Sequence, residues 1–174
     1  MDIDIERSVL LIWDLHPSLV QFSFNGEEVK QNVEKLVDWA HKKNVPVIFT
    51  KITPFPKGFE PPHSKNRAFN LDVSSLAINP SKEDIVVNKN TWSLFVGTNV
   101  ELMLRNSNKN TIIITGIATD IGVETTARHA YALGFIPIIV RDAVSSSDKD
   151  AHDRSLLNMS KFFEVVNTKD ILSI

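Results

Sequence analysis

Three short stretches of the chain carry residues that could do chemistry together. Asp14 ends the apolar run "SVLLIWD" (8–14), and Lys89 ends the run "DIVVNK" (84–89). The third stretch, "TGIATDIGV" (115–123), joins an apolar run to a helical pattern. A carboxylate and an ammonium group can move protons, and the backbone N–H groups of such a turn can stabilise developing negative charge. Hydrolases often keep a nucleophile in a strand-to-helix turn, but here its centre is Gly122, which has no side chain that can attack.

Alternating strands and helices must position these residues. Near-continuous apolar runs predict buried parallel strands, at residues 8–14, 45–50, 84–89, 110–116, 135–143 and 163–168. Helical spacing of apolar residues predicts helices, at residues 26–44, 99–108, 122–134 and 148–162. The pattern is typical of a single α/β domain over residues 1–174, with a doubly wound, mostly parallel six-stranded sheet and helices on both faces, in a Rossmann-type three-layer arrangement.

In open sheets of this kind the ligand crevice lies beyond the carboxyl ends of the strands, so the three stretches should meet at one edge. Residues 51–83 separate the second and third strands and contain five of the eight prolines. They predict a long loop with at most a short turn of helix, and loops of this length are often functional. Pro137 falls inside the fifth predicted strand, which must therefore begin late or tolerate one missing donor.

Composition excludes several classes of protein. The 174 residues carry a formal net charge of −2 and no cysteine, which excludes thiol catalysis and favours a cytoplasmic protein without disulfides. There is no basic block with interleaved aromatics and no apolar run of the length a membrane span requires, so we expect neither nucleic-acid nor membrane binding. The expected partner is a small-molecule substrate, and we expect no cofactor.

In addition, the motifs resemble the isochorismatase-like, or cysteine hydrolase, family over residues 7–172. The family has an aspartate after its first strand, as at Asp14, and a lysine followed at fixed spacing by serine and phenylalanine, as in "KNTWSLF" (89–95). The turn "TGIAT" (115–119), the helix start "ETTAR" (124–128) and the "DA" of residues 142–143 match three further family motifs.

The resemblance implies roles for the matched positions. Asp14 and Lys89 would be catalytic, the Ala118 and Gly122 backbone N–H groups would form the oxyanion hole, and the peptide before Ala118 would be cis. Amidase members carry the nucleophilic cysteine where this chain has Gly122, whereas isochorismatases proper carry glycine there. The family's glutamine or asparagine two residues after the aspartate is His16 here, and we expect His16 to bind the substrate, together with Arg67. Relatives are usually oligomers, so we expect a homo-oligomer, a dimer or larger, with apolar surface at Trp92, Leu94, Phe95 and residues 129–135. We expect no metal, since the segment "TKITPFPKG" (50–58) lacks the ligands of nicotinamidases.

Two main hypotheses for the function follow. In the first, Asp14 donates a proton to an enol ether of the isochorismate type, water adds, and the glycine at 122 leaves room for that water. Phe22, Trp92 and Phe95 could form an apolar wall of the substrate site. Isochorismate carries two carboxylates, for which the loop offers three cations, Lys57, Lys65 and Arg67. In the second hypothesis the chain has lost catalysis and binds a small molecule or a protein. Less favoured explanations of Gly122 are a nucleophile moved to Thr119, Thr125 or Thr126, and removal of cysteines by engineering.

Overall fold

A single parallel sheet organises the part of the chain that the structure describes. The structure, a computed structural model, describes residues 3–61 and 71–174. The strands are β1 (Ser8–Trp13), β2 (Val47–Ile52), β3 (Ile85–Lys89), β4 (Thr111–Ile117), β5 (Ile136–Ser145) and β6 (Glu164–Val166). Their order in the sheet is β3-β2-β1-β4-β5-β6, and every pairing is parallel. This confirms the predicted doubly wound α/β fold, whose order reverses between β1 and β4.

Helices cover both faces of this sheet. They are α1 (Pro17–Phe22), α2 (Gly26–Lys42), α3 (Val100–Asn106), α4 (Glu124–Ala132), α5 (Lys149–Met159) and α6 (Thr168–Leu172), with a 3-10 turn at Ile5–Arg7. The four predicted helices are present but shorter. The sequence analysis missed α1 and α6, because segments of five or six residues show too little apolar periodicity. Both carry start signals: Pro17 begins α1, and Asn167 with Asp170 forms a capping box at α6.

The core lies in two layers, one on each face of the sheet. In β1, Leu10 and Ile12 join the cluster packed under α2 and α6. Val9, Leu11 and Trp13 point the opposite way, into the cluster with α3, α4 and α5. Every β1 side chain is buried, because helices cover both faces of this central strand. The alternation of β1 thus directs Trp13 toward the helix that follows the strand-to-helix turn.

The long connection between β2 and β3 has no helix or strand in its described residues, 53–61 and 71–84. Its second half packs against the end of β1. The Ala77 N–H donates to the Leu15 carbonyl over 2.7 Å, and the Ser18 hydroxyl donates to the Asp72 carbonyl over 2.8 Å. Leu71, in the same segment, lines the cavity described below.

Part of the expected partner surface is not available. Leu94 is completely buried, and Phe95 stacks on Phe135 with ring centroids 5.6 Å apart. Both side chains belong to the intrachain core, whereas Trp92 and Tyr131 are 70% and 63% exposed. The expected partner surface is therefore reduced to side chains such as Trp92 and Tyr131.

Gly116 allows β4 to approach β1 closely beside the site. Its φ is +106°, and a Cβ there would overlap the backbone of Trp13. Gly134 also has a positive φ, +83°, but a Cβ there would meet nothing within 4 Å. We therefore expect Gly116→Ala to lower the free energy of unfolding by about 1–3 kcal/mol more than Gly134→Ala, since only the first adds an overlap to the backbone strain. Urea unfolding of both variants measures the difference, and equal losses would contradict the close approach.

Candidate active site

A buried ion pair lies at the carboxyl ends of β1 and the edge strand β3. The Lys89 Nζ donates to Asp14 Oδ2 over 2.6 Å, and Thr50 on β2 lies between them in the sheet order. The Thr50 hydroxyl donates to Asp14 Oδ1 over 2.6 Å and accepts from the Asp14 N–H over 2.9 Å. Asp14 and Lys89 are 5% and 6% exposed. Both carboxylate oxygens therefore have a donor, and three adjacent strands fix the acid in one orientation.

The charge of Lys89 is subject to opposing effects. Burial lowers the pKa of Lys89 below its ordinary value, and the Asp14 carboxylate opposes that shift. The ammonium also lies 3.9 Å from the ring centroid of Trp13 and donates to the Thr91 carbonyl over 3.2 Å. The ring face and the carbonyl favour the charged form of Lys89, whereas its removal from water favours the neutral form.

The strand-to-helix turn reaches the same place from β4. The Ile117–Ala118 peptide is cis, as the family resemblance implies. Residues Thr119–Val123 then form a π-helical turn that leads into α4, and the Val123 N–H donates to the Ala118 carbonyl over 3.1 Å. Short π-helical turns within helices are frequent at functional sites. Ala118 and Gly122 both line the cavity that contains Asp14.

The glycine at 122 is not an open position. A Cβ built there would overlap the indole of Trp13, at Nε1, Cε2 and Cζ2. Trp13 is 2% exposed and is held in the core beside α4. The expectation that glycine leaves room for a water molecule in place of the side chain is therefore wrong, because the indole of the residue before Asp14 fills that space.

These groups surround a cavity of about 470 Å³, a volume suited to a small organic ligand. Its apolar lining includes Trp13, Phe22 and Trp92. Its carboxylates are Asp14, Asp120 and Asp148. The cavity lies where the strand order reverses, which is the usual ligand position in this class of sheet.

The predicted binding residues divide into two groups. Phe22 and Trp92 line the cavity and are 63% and 70% exposed. His16 does not line it: its Nδ1 donates to the Ser75 carbonyl over 2.7 Å, and its Nε2 accepts from the Ile52 N–H over 3.2 Å. Both ring nitrogens are thus used to join the loop to β2, and burial lowers the pKa of His16, which favours its neutral form.

Phe95 also lies away from the cavity, with its ring packed on Phe135 and, at 5.3 Å between centroids, on His129. Of the three loop cations, Lys57 is exposed and does not line the cavity. Lys65 and Arg67 lie outside the described residues. No lysine or arginine from the described part of the chain lines this cavity.

The threonines considered as replacement nucleophiles are occupied or remote. The Thr119 hydroxyl is fully buried and pairs with His152 Nδ1 over 2.8 Å. The Thr126 hydroxyl accepts from the Leu94 N–H over 3.2 Å. Thr125 lines a different pocket, beside Phe55. None of the three lines the cavity that contains Asp14.

Sequence reasoning missed Trp13, Asp120 and the segment Ser146–Asp148. The Ser146 hydroxyl donates to Asp120 over 2.6 Å, and Asp148 caps α5 by accepting from the Ala151 N–H over 3.0 Å. The rule that ligands bind beyond the carboxyl ends of strands could have found residues 146–148, which follow β5 directly. Trp13 carried no such signal, since an aromatic at the end of an apolar run is typical of core.

Residues 3–61 and 71–174 contain neither a candidate group of metal ligands nor a candidate membrane-spanning helix. No group of three or more His, Cys, Asp or Glu residues there is arranged to hold a metal ion. None of the helices in that part of the chain is both long enough and apolar enough to cross a bilayer.

Comparison with known proteins agrees with this geometry. Residues 8–170 match the model of the Isochorismatase domain. The chain belongs to the isochorismatase family. Within this family, the uncharacterized isochorismatase family protein YwoC of Bacillus subtilis (strain 168) is 33% identical over 165 residues, covering 90% of this chain and 87% of that protein.

Two further similarities describe the range of the family. Enterobactin synthase component B of Escherichia coli (strain K12) is 29% identical over 180 residues, covering 96% of this chain and 63% of that protein. A cysteine hydrolase from Pseudomonas syringae pv. phaseolicola 1448A superposes with a TM-score of 0.88, covering 99% of this chain and 94% of that one. At 22% identity, the second likeness shows the isochorismatase-like fold alone.

The contact between Trp13 and Gly122 generates a test of packing. Gly122→Ala adds a methyl group where the indole lies and should cost about 1–3 kcal/mol of unfolding free energy. Trp13→Val leaves a cavity and should cost about 3–5 kcal/mol. The double variant should lose clearly less than the two single losses together, because the smaller side chain makes space for the methyl group. Urea unfolding of the four proteins measures the coupling, and strictly additive losses would show that the two positions do not compete for space.

Proposed function

We propose that this chain is a hydrolase that cleaves an enol ether of the isochorismate type without a covalent intermediate. Asp14 is the general acid, Lys89 supplies its proton, and water is the nucleophile. The observation that carries the proposal is the Asp14–Lys89 pair at 2.6 Å, with Asp14 lining a cavity in which Gly122 has no side chain and the indole of Trp13 occupies the nucleophile position.

The proton donor is supported by the surroundings of the pair. As found, both Asp14 oxygens accept hydrogen bonds, which is the arrangement of an ionised carboxylate. Burial already lowers the pKa of Lys89. A ligand that covers the cavity removes more water from the pair and disfavours its separated charges, so the proton moves from Lys89 Nζ to Asp14 Oδ2. Asp14, which lines the cavity, is then a neutral acid that can give this proton to the ligand.

The reaction proceeds in three steps. Asp14 gives its proton to the terminal carbon of the enol ether, and the neighbouring carbon becomes an oxocarbenium centre. Water adds to that carbon and loses a proton, which restores the charged Asp14–Lys89 pair. The resulting hemiketal breaks its C–O bond and yields a ketone and an alcohol. Ala118 and Gly122 line the same cavity, and we assign their backbone N–H groups the role of orienting the water.

A second candidate is a binding protein without catalysis. The contact between Gly122 and the indole of Trp13 favours this candidate, because it can be explained by packing alone, without a reaction. Both candidates predict that a ligand binds in the cavity. Only turnover of that ligand therefore distinguishes them.

The assay that separates them uses purified protein with isochorismate, with other enol ethers, and with a panel of amides and ureas. Hydrolysis of an enolpyruvyl ether is followed as pyruvate release, and hydrolysis of the amides and ureas as ammonia release. We expect turnover of an enol ether and none of the amides. Binding of these compounds without turnover would favour the second candidate.

Asp14→Asn should abolish enol-ether turnover, a loss of at least about 100-fold, because an amide cannot donate a proton to carbon. Thr50→Val is the matched control: it removes a hydrogen bond to the same carboxylate but leaves the acid and Lys89 in place. It should keep measurable activity. Thermal unfolding of both variants checks that each is folded at the assay temperature. Full activity in folded Asp14→Asn would remove Asp14 from the mechanism.

We also propose that the protein is a homo-oligomer, a dimer or larger. Its exposed aromatic side chains include Tyr131 and Phe162, at 63% and 64% exposure. Small-angle scattering in solution should therefore give a mass of about twice the 19.6 kDa of one chain, or more. A single species with the mass of one chain would refute the proposal.

A further inference from the structure

Among the residues that the structure describes, the charges that line the cavity are unbalanced. Asp14 is neutralised by Lys89, but Asp120 and Asp148 also line the cavity. Neither carboxylate has a lysine or arginine within salt-bridge distance in the described part of the chain. Each has one oxygen in a described hydrogen bond, from the Ser146 hydroxyl and the Ala151 N–H respectively. A ligand with two carboxylates would meet repulsion here, whereas an organic cation would be attracted.

An unpartnered donor lies at the bottom of the same cavity. Trp13 is 2% exposed and lines the cavity, and its Nε1 lies against Gly122. Among the described residues, the Trp13 Nε1 has no hydrogen-bond acceptor. The Trp39 Nε1 also lacks one there, but that nitrogen is fully buried. Because Trp13 lines the cavity with its Nε1 against Gly122, we assign its N–H the role of a hydrogen-bond donor to a ligand that lies over Gly122.

The lining changes from floor to mouth. Trp13 and Asp14 are buried, Asp120 is half-buried, and Asp148 is exposed. The free carboxylates therefore lie nearer the mouth than the indole donor. The exposed rings of Phe22 and Trp92 line the same cavity, and aromatic faces beside carboxylates are suited to bind an ammonium group.

We propose that this cavity selects a small organic cation, with its ammonium group at Asp120 and Asp148 and an ether or carbonyl acceptor on the Trp13 N–H. This inference names the substrate class of the site. It rests on the proposed function in one respect, the position of the scissile ether beside Asp14. It excludes isochorismate itself as the preferred ligand, because isochorismate has two carboxylates and no cationic group.

Three probes of one shape test the charge preference: 3-methoxybenzylammonium, 3-methoxybenzyl alcohol and 3-methoxybenzoate. Each has a flat ring and an ether oxygen, and they differ in charge. Titration calorimetry of the whole protein at low salt should show the ammonium probe binding at least about 10-fold more tightly than the benzoate. In Asp120→Asn/Asp148→Asn the ratio should fall to within about 3-fold. Asp38→Asn, which removes an exposed carboxylate of α2 outside the cavity, should leave the ratio unchanged.

The Trp13 contact has its own readout. The indole N–H resonance of Trp13, assigned as the signal missing in Trp13→Phe, should move downfield when the ammonium probe binds. The Trp39 signal is the internal control and should not move. If Trp13→Phe is poorly folded, the other two indole signals are assigned from the spectra of Trp39→Phe and Trp92→Phe. The third signal in the wild-type spectrum then belongs to Trp13.

The outcomes separate this inference from the proposed function. Tighter binding of the benzoate probe, equal binding of all three, or an unmoved Trp13 signal would overturn the inference, even if an enol ether is hydrolysed. A charge preference that depends on Asp120 and Asp148, together with the Trp13 shift, supports it even if no enol ether is hydrolysed. In that case the site binds a cation and the proposed reaction fails.

Discussion

The site depends on two opposite charges that are both buried and that each require the other. Asp14 and Lys89 are almost inaccessible and lie 2.6 Å apart. Removing either partner would leave the other charge uncompensated, at a cost of about 3–5 kcal/mol. The pair can form only if β1, β2 and β3 keep their parallel register, since Lys89 reaches across the strand that carries Thr50. The Asp14–Lys89 ion pair, which could transfer a proton, therefore also holds the edge strand β3 in register.

Trp13 connects this pair to the strand-to-helix turn. One face of its ring lies under the Lys89 ammonium, and its nitrogen-bearing edge lies against Gly122. The glycine is thus required by packing, in addition to any role in chemistry. A nucleophile could return to position 122 only if the residue before Asp14 became small at the same time. Two positions more than a hundred residues apart therefore decide together which reaction the cavity can support.

Much of this arrangement could be predicted from the sequence, and the reasons for the failures are physical. Apolar runs and their ends predicted the strands, and the shared edge of parallel strands predicted that Asp14 and Lys89 would meet. The reach of Trp13 could not be predicted, because alternation along β1 gives the face of a side chain but not the neighbour it touches. His16 and Phe95 failed for a similar reason: each follows a site residue closely, but the first turns back to the loop backbone and the second into the core. Asp120 and Asp148 were missed because acids in turns and at helix starts have common structural roles.

The depth at which each charge lies also limits how a ligand can enter. At the floor, Asp14 is paired with Lys89, and the pair has no net charge. Asp120 and Asp148, nearer solvent, hold charge that the described residues do not neutralise. A cationic group bound there is compensated before it reaches the floor and does not add its field to the buried pair. A carboxylate driven to the floor would lose its hydration beside Asp14, with the Trp13 N–H as its main compensation. For the proposed cationic ligand, the change from charged mouth to neutral floor favours one orientation, with its uncharged acceptor end toward the acid.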